Sequence, residues 1–321
     1  MEASSTLAFM RREHCPICCS SEVCVLFESG FGEGPVGDFM RRYYGCDVST
    51  LPDGRYELMR CLNCSLVYQG WVGNFHLLDE LYSVWINDGS HPEQDEQYKA
   101  IMRHPLEYRD AHEILTLAAF LDRPVNGLVT LDFGMGWAMW ARVAQLLGCD
   151  SYGAELSRSR VQYARAHAIE VLRPDDLPSE RFDFVNTEQV MEHIPDVRNT
   201  AERLVRSLKP GGILKVSVPS GERVDRIVGK LQQGRGLTNA EFVPIQPLEH
   251  VNSFTARSLS ALAAQLGLRQ VRPKIAERYS FLTAAGTLSF QRSKNAVKEL
   301  ARPFYTFNSR RNLYVWLQRP S

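Results

Sequence analysis

The chain has 321 residues, enough for one large domain and a smaller one, and its 37 basic side chains balance its 37 acidic ones. That balance excludes the global positive field that holds nucleic acid, so no nucleic-acid partner is expected. No apolar run is long enough to span a bilayer, and the start, Met1 to Arg12, lacks the charged-then-apolar order of a signal peptide. A cytoplasmic location is expected, where the eight cysteines point to metal or free thiols before disulfides.

Two knuckles open the chain, Cys15-Pro16-Ile17-Cys18 and Cys61-Leu62-Asn63-Cys64. Two CxxC pairs, each in a turn that sets both thiolates on one side, make a tetrahedral zinc site from Cys15, Cys18, Cys61 and Cys64. Cys19, Cys24, Cys46 and His14 rank below them as substitutes. Four thiolates leave no open position, so the zinc would be structural. Tyr56 to Arg60 and Ser65 to Tyr68 read as strands, which predicts a small zinc-ribbon-like domain over residues 1–70. Residues 71–106 are aromatic and polar without steady periodicity. They read as a linker with short helices, whose Tyr82, Trp85 and Tyr98 are candidates to lid a cleft.

Glu107 to Leu121 is an amphipathic helix with Ala111, Ile114, Leu115, Ala118 and Ala119 on one face and Pro124 beyond its end. Leu128 to Ala138 then runs from an apolar strand into two glycines and a helix. That order suits a nucleotide cleft, because glycines let the backbone bend sharply and approach a ligand. It departs from a dinucleotide fingerprint, since Met139 stands where a third glycine would be. Tyr152-Gly153-Ala154 ends in Glu155, about 20 residues on, where an acid grips two ribose hydroxyls. Arg158 to Ala168 reads as a helix, Ile169 to Leu172 as a strand and Arg173 to Asp176 as its exit loop. Phe182 to Asn186 is a strand, Asn199 to Leu208 a helix, Gly211-Gly212 a turn and Ile213 to Val218 a strand. Val224 to Leu231 and Thr255 to Leu266 are further helices. The alternation predicts an α/β fold, a doubly wound, mostly parallel sheet with helices on both faces.

D-F-G-M-G-W-A from Asp132, Y-G-A-E-L-S from Tyr152, F-D-F-V-N-T-E-Q-V-M-E-H-I-P-D from Phe182 and L-K-P-G-G-I-L-K-V from Leu208 stand in one order and spacing. Together they resemble the class I S-adenosylmethionine-dependent methyltransferases over roughly Leu115 to Val218. The resemblance implies a seven-stranded Rossmann-like sheet in a domain over residues 107–321. Gln270 to Ile275 and Leu313 to Gln318 would be its paired last strands, with an insertion around 277–311. It also implies S-adenosylmethionine as cofactor. Gly134 and Gly136 would approach its methionine portion and Asp132 its amino group, while Glu155 would hold the ribose. Leu156 would lie against the adenine, Asp176 or its neighbour Asp175 would meet the adenine amino group, and Glu188 would face the cofactor. Ala138 stands where many relatives carry glycine.

Methyl transfer needs a base only when the acceptor loses a proton, and two Glu-His pairs are candidates. Glu192-His193 lies in a string shared across the superfamily, including the ubiquinone-biosynthesis O-methyltransferases. Glu249-His250 lies in P-L-E-H-V-N-S-F-T, after the fifth strand of the core. The four-cysteine unit, the Gly-rich core and E-H-x-x-x-F resemble the sugar-nucleotide C-methyltransferases, which implies His250 as base and Glu249 as its polar neighbour. His193 is the second candidate. Those relatives carry a further domain after the core, so a shorter cousin acting on another glycan or small molecule is also open. Methyltransferases of polysaccharide biosynthesis share the pattern. The expected activity is methyl transfer to a sugar-containing or related small acceptor. An O-methyltransferase with an aromatic acceptor and a non-catalytic zinc and cofactor-binding module are the alternatives. From Arg269 onward basic residues outnumber acids by eleven to two. That stretch reads as a solvated surface, or as a face for an anionic or phospholipid-linked substrate with peripheral membrane contact.

Overall fold

A computed structural model describes residues 7–86, 91–280 and 311–321. The N-terminal unit contains β1 (Phe9–Arg11), β2 (Val23–Ser29), α1 (Gly34–Tyr43), β3 (Tyr56–Cys61), β4 (Val67–Gln69) and β5 (Trp71–Gly73). β2, β3 and β4 form an antiparallel ribbon, and β5 pairs back onto β1. The linker expected from residue 71 therefore begins with a strand of the ribbon unit. It continues through α2 (Phe75–Glu80) and α3 (Glu96–Arg103), whose buried residues are only Leu77 in α2 and Tyr98 and Ile101 in α3. So few anchors leave no readable period.

α4 (Arg109–Phe120) leads into the core. There β6 (Val129–Phe133), α5 (Met139–Leu146), β7 (Asp150–Ala154), α6 (Arg158–Ala166), β8 (Glu170–Leu172), β9 (Phe182–Glu188), α7 (Val197–Ser207) and β10 (Leu208–Pro219) alternate. α8 (Val224–Gln232), α9 (Asn239–Phe242), β11 (Asn252–Ser253), α10 (Ala256–Gln265), β12 (Arg269–Val271), α11 (Ile275–Arg278) and β13 (Asn312–Gln318) complete the described elements. The main sheet has seven strands in the order β12-β13-β10-β9-β6-β7-β8. All neighbours are parallel except that β13 runs antiparallel to β10 and β12. The chain leaves β6 toward β7 and β8, then returns on its other side with β9 and β10. Strand order thus reverses between β6 and β9, where an open α/β sheet binds its ligand.

Two strand expectations change. Gly211-Gly212 is not a turn before a strand but a register shift within β10, between Leu208 and Ile213, with Gly211 at φ +77°. β12 ends at Val271 rather than reaching Ile275, because Pro273 has no N–H to give and Lys274 starts α11. The insertion expected around 277–311 falls mostly outside the described residues. So do Arg292, Lys294, Lys298, Arg302 and Arg310 of the basic stretch.

The ribbon and the sheet share apolar cores. Ile17, Leu66 and Tyr68 pack in one cluster with Leu131, Val216 and Phe254. Phe39, Met40 and Tyr44 pack in another with Val224, Val228 and Phe242 of the segment after β10. β11 is the fourth strand of the ribbon sheet, with Asn252 opposite Tyr68. The segment carrying Glu249-His250 is therefore stitched to the N-terminal unit.

Candidate active site

The turn after β6 forms because Gly134 and Gly136 adopt φ +70° and φ +53°, a region that side chains disfavour. A Cβ on Gly134 would sit 2.6 Å from Val190 Cγ2, whereas one on Gly136 would meet nothing within 4 Å. Gly134 thus lets the loop after β9 close on the turn, and Gly136 leaves the bend open to a ligand. Ala138 is also left-handed, at φ +56°, a strain of order 1–3 kcal/mol at the cap of α5. That is the position where glycine was expected.

Glu155, at the tip of β7, folds back over this turn. Its Oε2 accepts the Gly136 amide at 3.0 Å, and its Oε1 accepts the Leu156 and Ser157 amides at 2.8 and 3.0 Å. Oε2 keeps a lone-pair site toward a diol, whereas a second hydroxyl would have to share Oε1 with its two amides. Leu156 is 75% exposed, an apolar side chain left open beside the acid. Asp132 is buried beneath the turn, accepting the Asn186 amide nitrogen at 2.7 Å and the Ala141 amide at 3.3 Å. Burial raises its pKa to about 7 against those bonds and the charge of Lys215. A cation brought alongside would favour its ionised form.

Asp175 and Asp176 lie in the loop after β8, both exposed, paired with Arg203 at 3.2 Å and Arg173 at 2.5 Å respectively. Glu188, expected to face the cofactor, is held by two cations. Lys215 Nζ lies 2.7 Å from its Oε2 and Arg109 Nη1 3.3 Å from its Oε1. Lys215 is fully buried and reaches Glu113 at 3.0 Å as well, while Tyr314 donates to Glu113 at 2.8 Å. Burial acts to lower the Lys215 pKa, but Glu113 and Glu188 outweigh it and raise the ammonium above its ordinary value. Glu188 is thus one anchor of a charge network across the sheet edge.

The two Glu-His pairs, 57 positions apart in sequence, meet in space. His193 and His250 are edge to face, with ring centroids 4.6 Å apart. The His250 Nδ1 bonds the Val243 carbonyl, which can only accept, so the proton sits on Nδ1 and the lone pair on Nε2. That Nε2 is 3.9 Å from Glu249 Oε1. The Glu249 Oε2 accepts from Gln246 at 2.7 Å and from Tyr44 of the ribbon unit at 3.2 Å. The His193 Nδ1 lies 3.1 Å from the Glu249 carbonyl and 3.0 Å from the Tyr82 hydroxyl. Burial, with Glu249, Glu192 and Glu155 adding to it, raises the Tyr82 phenol above its ordinary range. Of the candidate lid aromatics, Tyr98 bonds the Trp137 carbonyl at 3.2 Å and Trp85 packs against the ribbon core.

Burial sets the charges here. It lowers His193 to about 3, with His250 adding to the effect, and His250 to about 4. It raises Glu249 to about 7 against the Tyr44 bond, and Glu192 to about 8. Both histidines are neutral at pH 7, and the burial that keeps them so also makes each a weaker proton acceptor than a free imidazole, so proton uptake at His250 Nε2 calls for an ionised Glu249 beside it. Neither Glu192 oxygen has a hydrogen-bond partner among the described residues beyond its own amide. One ligand atom each from Glu192, His193 and His250 falls within 4.8 Å of the others, close enough for a cation as well as a proton relay.

The four cysteines converge as a second site. Cys15 and Cys64 sulfurs are 3.5 Å apart, and Cys18 and Cys61 sulfurs 3.4 Å. A tetrahedral ion with bonds of about 2.3 Å to sulfur separates its ligands by about 3.8 Å. Both knuckles close alike, with Cys19 N on Cys15 O and Ser65 N on Cys61 O at 2.9 Å, and Cys19 and Ser65 left-handed. The donor set fits a four-thiolate metal.

Tyr44, Tyr82, Arg12 and Lys215 carried little sequence signal. Tyr82 was visible only as one aromatic among several, and Lys215 as a residue of a strand.

Comparison with known proteins follows the same core. The family described as "Methyltransferase domain" matches residues 102–272, just over half the chain. A ubiquinone biosynthesis O-methyltransferase of Chelativorans sp. is 29% identical over 131 residues, 38% of this chain and 49% of that one. One from Paramagnetospirillum magneticum is 34% identical over 102 residues, 29% of this chain and 41% of that one. The chain thus spans half or less of the length of these curated relatives. An S-adenosylmethionine-dependent methyltransferase of Mesorhizobium loti, solved by crystallography, is 20% identical with a TM-score of 0.39, covering 71% of this chain and 100% of that one. With the family match over residues 102–272 and a seven-stranded Rossmann-like sheet, the chain belongs to the methyltransferase-domain family, with the architecture of its class I S-adenosylmethionine-dependent members.

Proposed function

We propose that this protein transfers a methyl group from S-adenosylmethionine to a sugar-containing or related small acceptor, with His250 as general base. The observation that carries this reading is the pair of neutral histidines, from loops far apart in sequence, meeting on the loop whose Val190 packs over Gly134. When bound, S-adenosylmethionine supplies a methyl group activated by its own sulfonium charge. The protein's task is then to hold donor and acceptor and to take up a proton.

In this reading Glu155 accepts the two ribose hydroxyls, and Gly134 and Gly136 let the turn approach the methionine portion. Asp132 supports the amino group, Leu156 lines the adenine, and Asp176 or Asp175 meets its edge. Glu188 acts through Lys215 and Arg109 in shaping the pocket floor. His250 removes the acceptor proton at Nε2, Glu249 steadies the imidazole, and His193 with Tyr82 orients the acceptor. Cys15, Cys18, Cys61 and Cys64 hold a structural zinc ion.

The names of the curated relatives favour a second reading, an O-methyltransferase with a phenolic acceptor. A screen of nucleotide sugars, glycans and phenols with methyl-labelled cofactor decides between them. The first reading expects label on a sugar, with His250→Ala lowering turnover at least about 100-fold, the lower end of the range for a positioned base. Label on phenols, with His250→Ala active, would overturn it. Binding without turnover on any acceptor would leave a non-catalytic module.

A further inference from the structure

Arg12 lies between β1 and the first knuckle, three positions before Cys15. Its side chain spends every donor it has. Nε and Nη2 donate to the Gln69 carbonyl at 2.9 and 2.7 Å, and Nη2 also donates to the Val251 carbonyl at 2.6 Å. Nη1 donates to the Pro195 carbonyl at 3.2 Å and to Asn252 Oδ1 at 2.9 Å. A guanidinium has five N–H groups in a rigid plane, and all five are used on neutral acceptors. The neighbouring Arg11, by contrast, pairs with Glu57.

The acceptors come from three separate segments. Gln69 belongs to β4 of the ribbon. Pro195 is two residues beyond His193, and Val251 directly follows His250. Asn252 extends the link, donating its side chain to the Met191 and Ile194 carbonyls at 3.1 and 2.7 Å and its amide to the Glu192 carbonyl at 3.0 Å. The backbone on both sides of Glu192-His193 is therefore tied, through Arg12 and Asn252, to the backbone immediately after His250. The clamp is itself held on both sides. β1 pairs with β5 just before Arg12, and the Arg12 amide bonds the Gly70 carbonyl at 2.7 Å. The knuckle begins just after it.

We propose that Arg12 is a positioning residue that sets the distance between His193 and His250, so that the ribbon serves the reaction by aiming one guanidinium at the two loops. The proposal rests on reading the histidine cluster as the acceptor site. It also accounts for arginine in particular. Lysine has three donors on one nitrogen and cannot span three segments in a plane.

The test compares Arg12→Lys and Arg12→Ala with the wild type in the full chain. Arg12→Lys is expected to bind S-adenosylhomocysteine and retain metal like the wild type. Its kcat should fall about 100-fold, the effect of displacing catalytic groups by about 1 Å. Diethyl pyrocarbonate should modify His193 and His250 faster, read by mass spectrometry. Arg12→Ala should regain turnover with added guanidinium ion but not with methylammonium. Unchanged kcat and unchanged histidine protection would overturn the proposal. So would joint loss of metal, nucleoside affinity and turnover, which would make Arg12 a general support of the fold. Should both variants fail to fold, Asn252→Asp keeps the acceptor for Arg12 while removing the donations to Met191 and Ile194. It should expose His193 to the reagent, and continued protection would count against the clamp. Histidine protection is read without turnover, so an inactive wild type would defeat the proposed reaction and leave this test standing.

Discussion

Replacing Glu155 by alanine removes one carboxylate with two separable duties. Toward the protein it accepts three backbone amides, of Gly136, Leu156 and Ser157. Glu155 is only 11% exposed, so water reaches these amides in part and the fold should lose about 1–3 kcal/mol. In the proposed reading it also accepts from the two ribose hydroxyls. Hydrogen bonds to a charged group contribute about 1.5–3 kcal/mol each, so losing two weakens binding by about 3–6 kcal/mol. That is about a 100- to 20,000-fold rise in Kd, since 1.4 kcal/mol is tenfold. Isothermal titration with S-adenosylhomocysteine measures it, with circular dichroism to confirm the fold. Glu155→Gln, which keeps one acceptor and loses the charge, should fall between wild type and alanine. A Kd within about threefold of wild type in folded Glu155→Ala would refute the assignment of this acid to the ribose.

Three further outcomes are expected. Purified protein should hold one zinc per chain by mass spectrometry of the metal, and Cys61→Ser should lose it and the thermal stability of the ribbon with it. A second equivalent that Cys61→Ser retains and Glu192→Gln loses would place a cation at the histidine cluster. Glu192, raised by burial from 4.5 to about 8, binds its proton more tightly in the folded chain, so stability falls as pH rises through that window. Glu192→Gln should flatten this part of the denaturation profile between pH 4.5 and 8, and an identical pH dependence would contradict the buried neutral acid. Lys215→Met should cost about 3–5 kcal/mol by leaving Glu113 and Glu188 without their buried cation, and Lys215→Met with Glu113→Gln should recover much of it in urea titrations.

The sequence displayed the parts of the fold that repeat locally. β6, β7 and β9 announce themselves as short apolar runs ending in a turn residue or an acid, and the bend at Gly134 and Gly136 needs its glycines for φ, Gly134 also for the close approach of Val190. The knuckles were equally visible, because two ligands three positions apart are a local pattern. What stayed hidden depends on pairing across long stretches of chain. Asn252 opposite Tyr68 joins the ribbon to the segment after β10, and no local signal marks a two-residue strand. Lys215 occupies an ordinary position of β10, and its burial is legible only once Glu113, from α4, lies beside it. The same holds for the site. Glu192-His193 and Glu249-His250 were each visible as pairs, but their contact, and the hold of Tyr82, Tyr44 and Arg12 upon them, comes from the folded chain.

Joining the ribbon to the core has a consequence for stability. Ile17 and Leu66 share a core with Leu131 and Val216, so the four-cysteine unit and the sheet should unfold together. Zinc removal should then reach the histidine cluster through Arg12 and β11 as well as loosening the knuckles.

A crystal structure of the complex with S-adenosylhomocysteine would test most directly where the reaction occurs. It should show the ribose on Glu155 and the sulfur facing Glu192, His193 and His250, with room between for an acceptor atom within about 3–3.5 Å of the transferred methyl position. A nucleoside bound away from the Gly-rich turn, or a sulfur turned from both histidines, would contradict it.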